Sequence, residues 1–378
     1  MAISALDENG KSVDWWFAYK VPHIGGAGPG SAIGYEYVYY DPNIGRVVTS
    51  PHTMAMDIGA LRGTLDSVFN STSEDTGWIL YNDERPDAAK NPPDQNDNDS
   101  LGHSKGILAF DTASKTAFWL LHSWPKFVMP GAKAMPVPDY GQTYLCVSLD
   151  MDTASAIAAI MIDHQEPQVF ASRLPKSLGQ ADPLRKLTLA IDPNAKGDSH
   201  VLDFKSRGGK LFKMIAKNRQ WGGDFWNQLV GPALGVCIDV ESWIRGTVPD
   251  HEDSNAPGAL NLLGNRKTFD VNTIDFTPLG TPWKWPESKD HAKWGISVEP
   301  EWICVGDINR MISQQKRGGG AIAFQEPALW AALRKTFPAK VDNGYSSFPK
   351  PPPLPEATTH SSTFHTDPVV AKKSPGKK

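Results

Sequence analysis

Two short strings, one in each half of the chain, constrain this sequence more than any other feature. G-His103-Ser-Lys105 opens GILAFDTASKTAFWLLHSWP, and D-His291-Ala-Lys293 opens WGISVEPEWICVGDINR. Each begins with His-x-Lys, runs through an apolar stretch, reaches turn residues and returns through a second apolar and aromatic stretch, the pattern of an antiparallel hairpin. Side chains two apart in a strand share a face, so each His projects beside its Lys. A first turn centred near Ala113 brings His122 and Ser123 beside His103 and Lys105. A second centred on Glu299 and Pro300 brings Asp307 and Asn309 close to His291. One His-x-Lys alone is weak evidence. Two copies, each with polar groups on its returning strand, predict a duplicated half-unit with one active site at the pseudo-twofold between the halves.

Such a site suits phosphodiester cleavage without a metal. Two ammonium groups and a few amide or hydroxyl donors neutralise the phosphate oxygens as charge builds in the transition state. One neutral imidazole attacks phosphorus, while the other, protonated, donates to the departing oxygen. Cys146, Cys237 and Cys304 are too sparse for a disulfide framework and are not spaced as a zinc site. No metal or other cofactor is expected.

Hydrophobic residues make up 40% of the 378, with 13 Trp, which is ample for a sizeable core. The 33 Gly and 31 Pro point to a loop-rich fold rather than a helical bundle. Residues 13–22 and 33–40 read as strands, and the Gly-rich loop between them lacks the Gly-Lys-Ser/Thr of a phosphate-binding loop. Formal net charge is −4, so a nucleic-acid partner needs a local basic patch. Residues 204–230 offer one. Leu211, Phe212 and Ile215 follow helical spacing, with Lys210, Lys213 and Lys217 on another face and Trp221, Phe225 and Trp226 beyond. The segment reads either as an ordinary amphipathic helix or as a phosphate-contacting one, with Lys210, Lys213, Lys217 and Trp221 as its DNA-binding candidates.

Residues 83–100 read as an acidic surface loop, and the Pro-rich, lysine-terminated stretch beyond about 345 as a disordered tail. Neither a secretory signal nor a window approaching the roughly 20 apolar residues of a membrane span is visible, so a soluble protein is expected and its compartment is left open.

The same segments resemble the deoxyribonuclease II family, a branch of the phospholipase D-like fold. The likeness spans most of residues 13–330: VDWWFAYKVP, YNDERP, HSKGILAFD with FWLLHS, YGQTYLCVS, FKMIAK with GGDFWNQL, DHAKW, and WICVGDINRM with RGGG and PALW. It implies a mixed α/β fold of two similar sheet-plus-helix halves, residues 1–175 and 176–345, sharing one active site, with 346–378 as the tail. It further implies a metal-independent acid endonuclease cutting double-stranded DNA to 3′-phosphate and 5′-hydroxyl ends. No membrane or protein partner is expected, and the chain is a monomer or homodimer. Catalytic roles transfer to His103, Lys105, His122, His291 and Lys293, and phosphate-binding or orienting roles to Ser123, Asp307, Asn309 and Arg317. Arg317 with Gly318–Gly320 reads equally as a phosphate-contacting loop or a tight turn. His103 is taken as the nucleophile that forms a phosphohistidine, with His291 as the acid; the reverse order fits the sequence too.

Three departures stand out. The phospholipase D motif places an Asp a few residues after each Lys, where this chain has Phe110 and Val298, leaving Asp111, Asp290 or Asp307 as substitutes. The family's paired cysteines are incomplete: Cys304 would meet Ala323, and the N-terminal segment supplies no partner for Cys146. This fits a bacterial member not made for an oxidising compartment. The tail has no counterpart in the family. Two rival readings remain: a lipid phosphodiesterase, because the fold's paired sites also process lipids, and a catalytically inactive DNA-binding member.

Overall fold

The computed structural model describes residues 2–86, 101–132, 139–189, 196–249 and 268–337. The stretch 87–100 and the Pro-rich tail lie outside the described residues.

The chain starts with β1 (Trp15–Lys20), then a small ribbon of β2 (His23–Ile24) and β3 (Ala32–Ile33), then β4 (Tyr37–Tyr40) and β5 (Val48–Thr49). Helix α1 (Ala60–Phe69) leads to β6 (Thr76–Tyr81), β7 (Gly106–Asp111), β8 (Thr116–His122) and β9 (Gln142–Asp150). Helix α2 (Met151–His164), β10 (Val169–Arg173) and α3 (Pro183–Lys186) follow. After them come β11 (Ser199–Lys205), β12 (Leu211–Lys217), a π-helical turn over Phe225–Val230, α4 (Gly231–Leu234), β13 (Ile238–Ser242) and β14 (Thr268–Asp270). A second ribbon, β15 (Thr273–Asp275) with β16 (Lys284–Pro286), precedes β17 (Lys293–Ser297), β18 (Trp302–Gly306), β19 (Gly319–Gln325) and α5 (Pro327–Arg334).

Two large sheets result, ordered β10-β6-β7-β8-β9-β1-β4-β5 and β11-β12-β19-β18-β17-β13-β14. The central order is the same in both: β6-β7-β8-β9-β1 runs as β13-β17-β18-β19-β12, and each His-x-Lys leads into the hairpin at its middle. The central strands are largely buried because both faces are covered, and their alternation sorts side chains between two cores. In β7, Leu108 and Phe110 enter the large central core, while Ile107 and Ala109 pack outward with Leu61, Leu65 and Val68 of α1. In the second sheet Ile303 and Val305 face the central core, and Cys304 packs outward with Trp226, Leu229 and Leu234. Helices α2 and α5 each follow the fourth strand of this central run and sit in the central core, contributing Ala154, Ile157, Met161, Leu329 and Leu333. The layers are therefore helix, sheet, helices, sheet, helix: the two-halved mixed α/β architecture expected.

The hairpins match their expected pairing closely. The second has the expected register, with Trp294 opposite Val305. The first is one residue off, with Gly106 opposite Leu121. Cys304 lies directly opposite Ala323, and all three cysteines are free.

Residues 204–217 correct the helical expectation. They belong to the β11–β12 hairpin, in which Phe212, Met214 and Ala216 alternate into the central core. Over so short a run a 2-residue period and a 3.6-residue period fit the same apolar positions, and pairing with β19 decides for the strand. Lys210 pairs with Glu326 at 2.8 Å and Lys213 with Asp203 at 2.6 Å. Lys217 is fully buried and donates to the carbonyls of Gln314, Gln315 and Arg317. Its ammonium stands 5.9 Å over the ring of Trp221. The helical face proposed for DNA does not exist, and Lys217 is an interior loop anchor. The expected strand over 33–40 also shortens, to Tyr37–Tyr40.

Candidate active site

Both His-x-Lys strings sit at the start of a central strand, and each is hydrogen-bonded to the other half. His103 N–H donates to the Gly318 carbonyl at 2.8 Å, and Lys105 N–H to Asp307 Oδ1 at 3.4 Å. Reciprocally, His291 N–H donates to the Gly141 carbonyl at 2.9 Å. Glycine permits the close approach. A Cβ on Gly102 would lie 2.1 Å from the Gln165 carbonyl oxygen, and one on Gly318 2.4 Å from the same atom. The Gly318–Gly320 run is thus a packing seam at the start of β19 rather than a tight turn. Gly318→Ala should destabilise the fold by about 1–3 kcal/mol through overpacking and lower cleavage with it, measurable by denaturant unfolding and initial rates.

His103 is almost wholly buried and its Nδ1 lies 2.6 Å from the Asp307 carbonyl. A carbonyl only accepts, so Nδ1 carries the proton and the neutral ring presents a bare Nε2. Facing that Nε2 at 3.5 Å is Asp83, just beyond the end of β6. Asp83 also receives the Lys105 ammonium and, at 3.2 Å, the Arg317 guanidinium. Burial works against its charge, but the neighbouring His103 ring and the cations of Lys105 and Arg317 outweigh that and hold the carboxyl below the usual carboxylate range. Burial also pushes the His103 ring well below the usual imidazole value; Lys105, Arg317 and Lys293 add to this, and Asp83 opposes it.

His291 has different surroundings. Its ring stacks on Tyr140 at 4.4 Å and 8°, and against Trp243 at 4.1 Å and 53°. Burial and then the charges of Lys293, Lys105, Arg245 and Lys20 push it down to about 2. Lys293 donates to the His291 carbonyl at 2.5 Å, and burial, with Lys105 nearby, pushes its ammonium down to about 7. These mutual influences bring the two motifs into one electrostatic neighbourhood. Behind them Asp290 accepts from Tyr19 Oη at 2.5 Å, Trp285 Nε1 at 2.6 Å and Ala292 N–H at 2.8 Å.

The remaining candidates fall into place around this centre. His122 is beside Lys105, whose carbonyl accepts its N–H at 3.2 Å, but the ring is in the interior. Its Nδ1 accepts from Trp124 N–H at 3.1 Å and it stacks on Phe127 at 4.1 Å, so it backs Lys105 rather than facing the site's opening. Ser123 Oγ donates to Gln142 Oε1 at 2.5 Å, which commits its one proton to the fold. Asp307 is buried against Lys105 rather than against the second motif, and burial raises its carboxyl to about 7. Asn309 is buried too, with Oδ1 unpartnered among the described residues. Asp111 sits at the far end of β7 with Ser114 and Thr76.

Sequence reasoning missed Asp83 as the carboxylate partner, although YNDERP had been singled out, and gave no role to Tyr140 or Trp243. Among the described residues no group of three or more His, Cys, Asp or Glu side chains is arranged to hold a metal ion, and no helix is long and apolar enough to cross a membrane.

Two like halves thus bring an imidazole and an ammonium group each into one electrostatic neighbourhood, a set of groups that can balance charge and move protons on a phosphate ester. The family model for deoxyribonuclease II matches residues 4–340, and the chain belongs to that family, whose members are nucleases acting on DNA. It is 56% identical over 337 residues to a protein of Burkholderia pseudomallei (strain 1710b) provisionally named deoxyribonuclease-2, covering 89% of this chain and 93% of that one. It is 32% identical over 348 residues to deoxyribonuclease-2-alpha of Rattus norvegicus, covering 88% and 92%. Among solved structures, a yeast tyrosyl-DNA phosphodiesterase aligns with 60% of this chain and 67% of its own at a TM-score of 0.29 and 10% identity.

Proposed function

We propose that this deoxyribonuclease is a metal-independent acid endonuclease that cuts double-stranded DNA in two steps through a phosphohistidine. The observation that carries the reading is the His103 Nδ1–Asp307 carbonyl contact of 2.6 Å, which fixes the tautomer that leaves Nε2 free to attack. In the first step a bond forms between His103 Nε2 and phosphorus, and the bond from phosphorus to O5′ breaks. His291 gives its proton to O5′, leaving a 5′-hydroxyl and a 3′-phosphoryl group on His103. In the second step water attacks phosphorus, His291 takes the proton, and the P–N bond breaks to release a 3′-phosphate. Lys105 and Lys293 balance the charge on the non-bridging oxygens.

Acid conditions favour this chemistry twice. Lys293 gains its charge only as pH falls through about 7, so the phosphate clamp loses a cation above that value. His291 resists protonation in the free protein, and the bound phosphate together with low pH is what charges it. Cleavage should therefore fall as pH rises through about 7.

Plasmid cleavage at about pH 5 and about pH 7.5, with and without excess chelator and followed by end-group analysis, tests the reading. Chelator-resistant cutting at the lower pH with 3′-phosphate ends is expected. Metal-dependent cutting, or 5′-phosphate ends, would overturn it. Binding that weakens steeply with salt and gives no turnover would leave a DNA-binding protein instead.

A further inference from the structure

Strand pairing aligns the two halves residue by residue. In the first, β6 and β7 pair Tyr81 with Gly106; in the second, β13 and β17 pair Ser242 with Lys293. Carried to the two motifs, these ladders set Asn82 beside Lys105 and Ser242 beside Lys293. Asp83 in the first half is then the counterpart of Trp243 in the second. The alignment extends across both sheets. Phe17 pairs with Leu145 and Met214 with Ile322, which makes Lys20 and Lys217 counterparts. Both lysines are fully buried and both donate to backbone carbonyls, Lys20 to Val21 and Gly34 and Lys217 to Gln314, Gln315 and Arg317. Against so detailed a match, a carboxylate in one half and an indole in the other is a specific divergence.

The divergence suits the two roles. A histidine that bonds to phosphorus gains positive charge on its ring, and a carboxylate facing Nε2 stabilises that charge. A histidine that must give up a proton is hindered by such a carboxylate. After burial, the groups that push His291 down are cations, Lys293 of β17, Lys105 of the first motif, Arg245 of the loop after β13 and Lys20 of β1, while the buried carboxyls of Glu241 and Asp290 stand near Lys293. Tyr140 covers one face, and Trp243, with the Arg245 guanidinium 5.1 Å over its ring, covers another. Asp290, the residue preceding His291 in the chain, is turned to Tyr19, Trp285 and the Ala292 amide.

We propose that Trp243 is a positioning residue that assigns His291 its role: standing where Asp83 stands in the other half, it denies His291 a carboxylate partner, makes it the proton donor and ties cleavage to acid pH. The proposal rests on the phosphohistidine reading for its catalytic consequence. Its central statement, about the proton on His291, can be measured without turnover.

The experiment compares full-length wild type, Trp243→Asp, Trp243→Asn and Trp243→Phe by imidazole NMR titration without DNA and by the pH profile of plasmid cleavage. Trp243→Asp should raise the His291 midpoint by about one pH unit or more and move the cleavage optimum toward neutral pH. Trp243→Phe should keep the wild-type midpoint and the shape of the profile. Where Trp243→Asp fails to fold, Trp243→Asn decides, because losing the ring admits water and also raises the midpoint. An unchanged His291 midpoint in Trp243→Asp or Trp243→Asn, or an equal rise in Trp243→Phe, would overturn the proposal. A wild type that cleaves best at neutral pH, or leaves 5′-phosphate ends, removes the phosphohistidine reading, while the NMR midpoints still judge Trp243.

Discussion

His103→Ala and His291→Ala should each lower DNA cleavage by about 10⁴-fold or more, with thermal melts close to wild type, because nucleophile and acid act as a unit. The two losses should differ in kind. With a phosphodiester whose leaving group is a nitrophenolate, departure needs no proton, so His291→Ala should still trap a phosphorylated protein under a denaturing alkaline quench, which spares the acid-labile P–N bond. His103→Ala should trap none with any leaving group. If His291→Ala is the variant that never becomes phosphorylated, the roles are reversed. If either variant cleaves DNA at near the wild-type rate, the paired-histidine mechanism is lost altogether.

Asp83→Asn should be the most damaging change outside the two histidines. The carboxylate is buried with Lys105, Arg317 and His103 around it, so neutralising it leaves like charges confronting each other away from water. Breaking a buried ion pair from one side costs about 3–5 kcal/mol, far more than the near-zero value of an exposed pair. Loss of the carboxylate that holds Lys105 and faces His103 should also lower kcat by about tenfold or more, the equivalent of about 1.4 kcal/mol. Urea unfolding and kcat on the same preparation give both numbers. An Asn variant as stable and as active as wild type would show that Asp83 is a bystander.

Antiparallel hairpins were the most legible part of the fold. Short turns tie position to position, so locating Glu299 and Pro300 at the second turn gave the register that places Trp294 against Val305. The duplication was legible for the same reason, since His-x-Lys and a polar return strand recur together. What escaped was anything contributed by another strand. Asp83 lies just past β6, remote in the chain from both motifs until the sheet forms, and its string YNDERP carried no sign of which lysine it would meet. The helical placement of Lys210, Lys213 and Lys217 went wrong through periodicity, because β12 is only seven residues long and so short a run does not separate the two periods. The pairing of Asp307 with the first motif was also beyond reach. The hairpin set it near its own half, yet its backbone carbonyl fixes the histidine of the other.

The central core is built from both sheets at once, with Trp15 against Phe324 at 5.1 Å and Trp119 near Phe204 at 6.3 Å. A nascent chain synthesised as far as β10 therefore has all eight strands of the first sheet, with α2 on the apolar face that the second sheet is still to cover. Synthesis of the second half is what completes the cover of that face, and exposed apolar surface of this kind is what makes partly made chains prone to aggregate. The first motif is completed late by the same route: the carbonyl that accepts from His103 N–H belongs to Gly318, so this cross-half hydrogen bond forms only once the residues leading into β19 have been made.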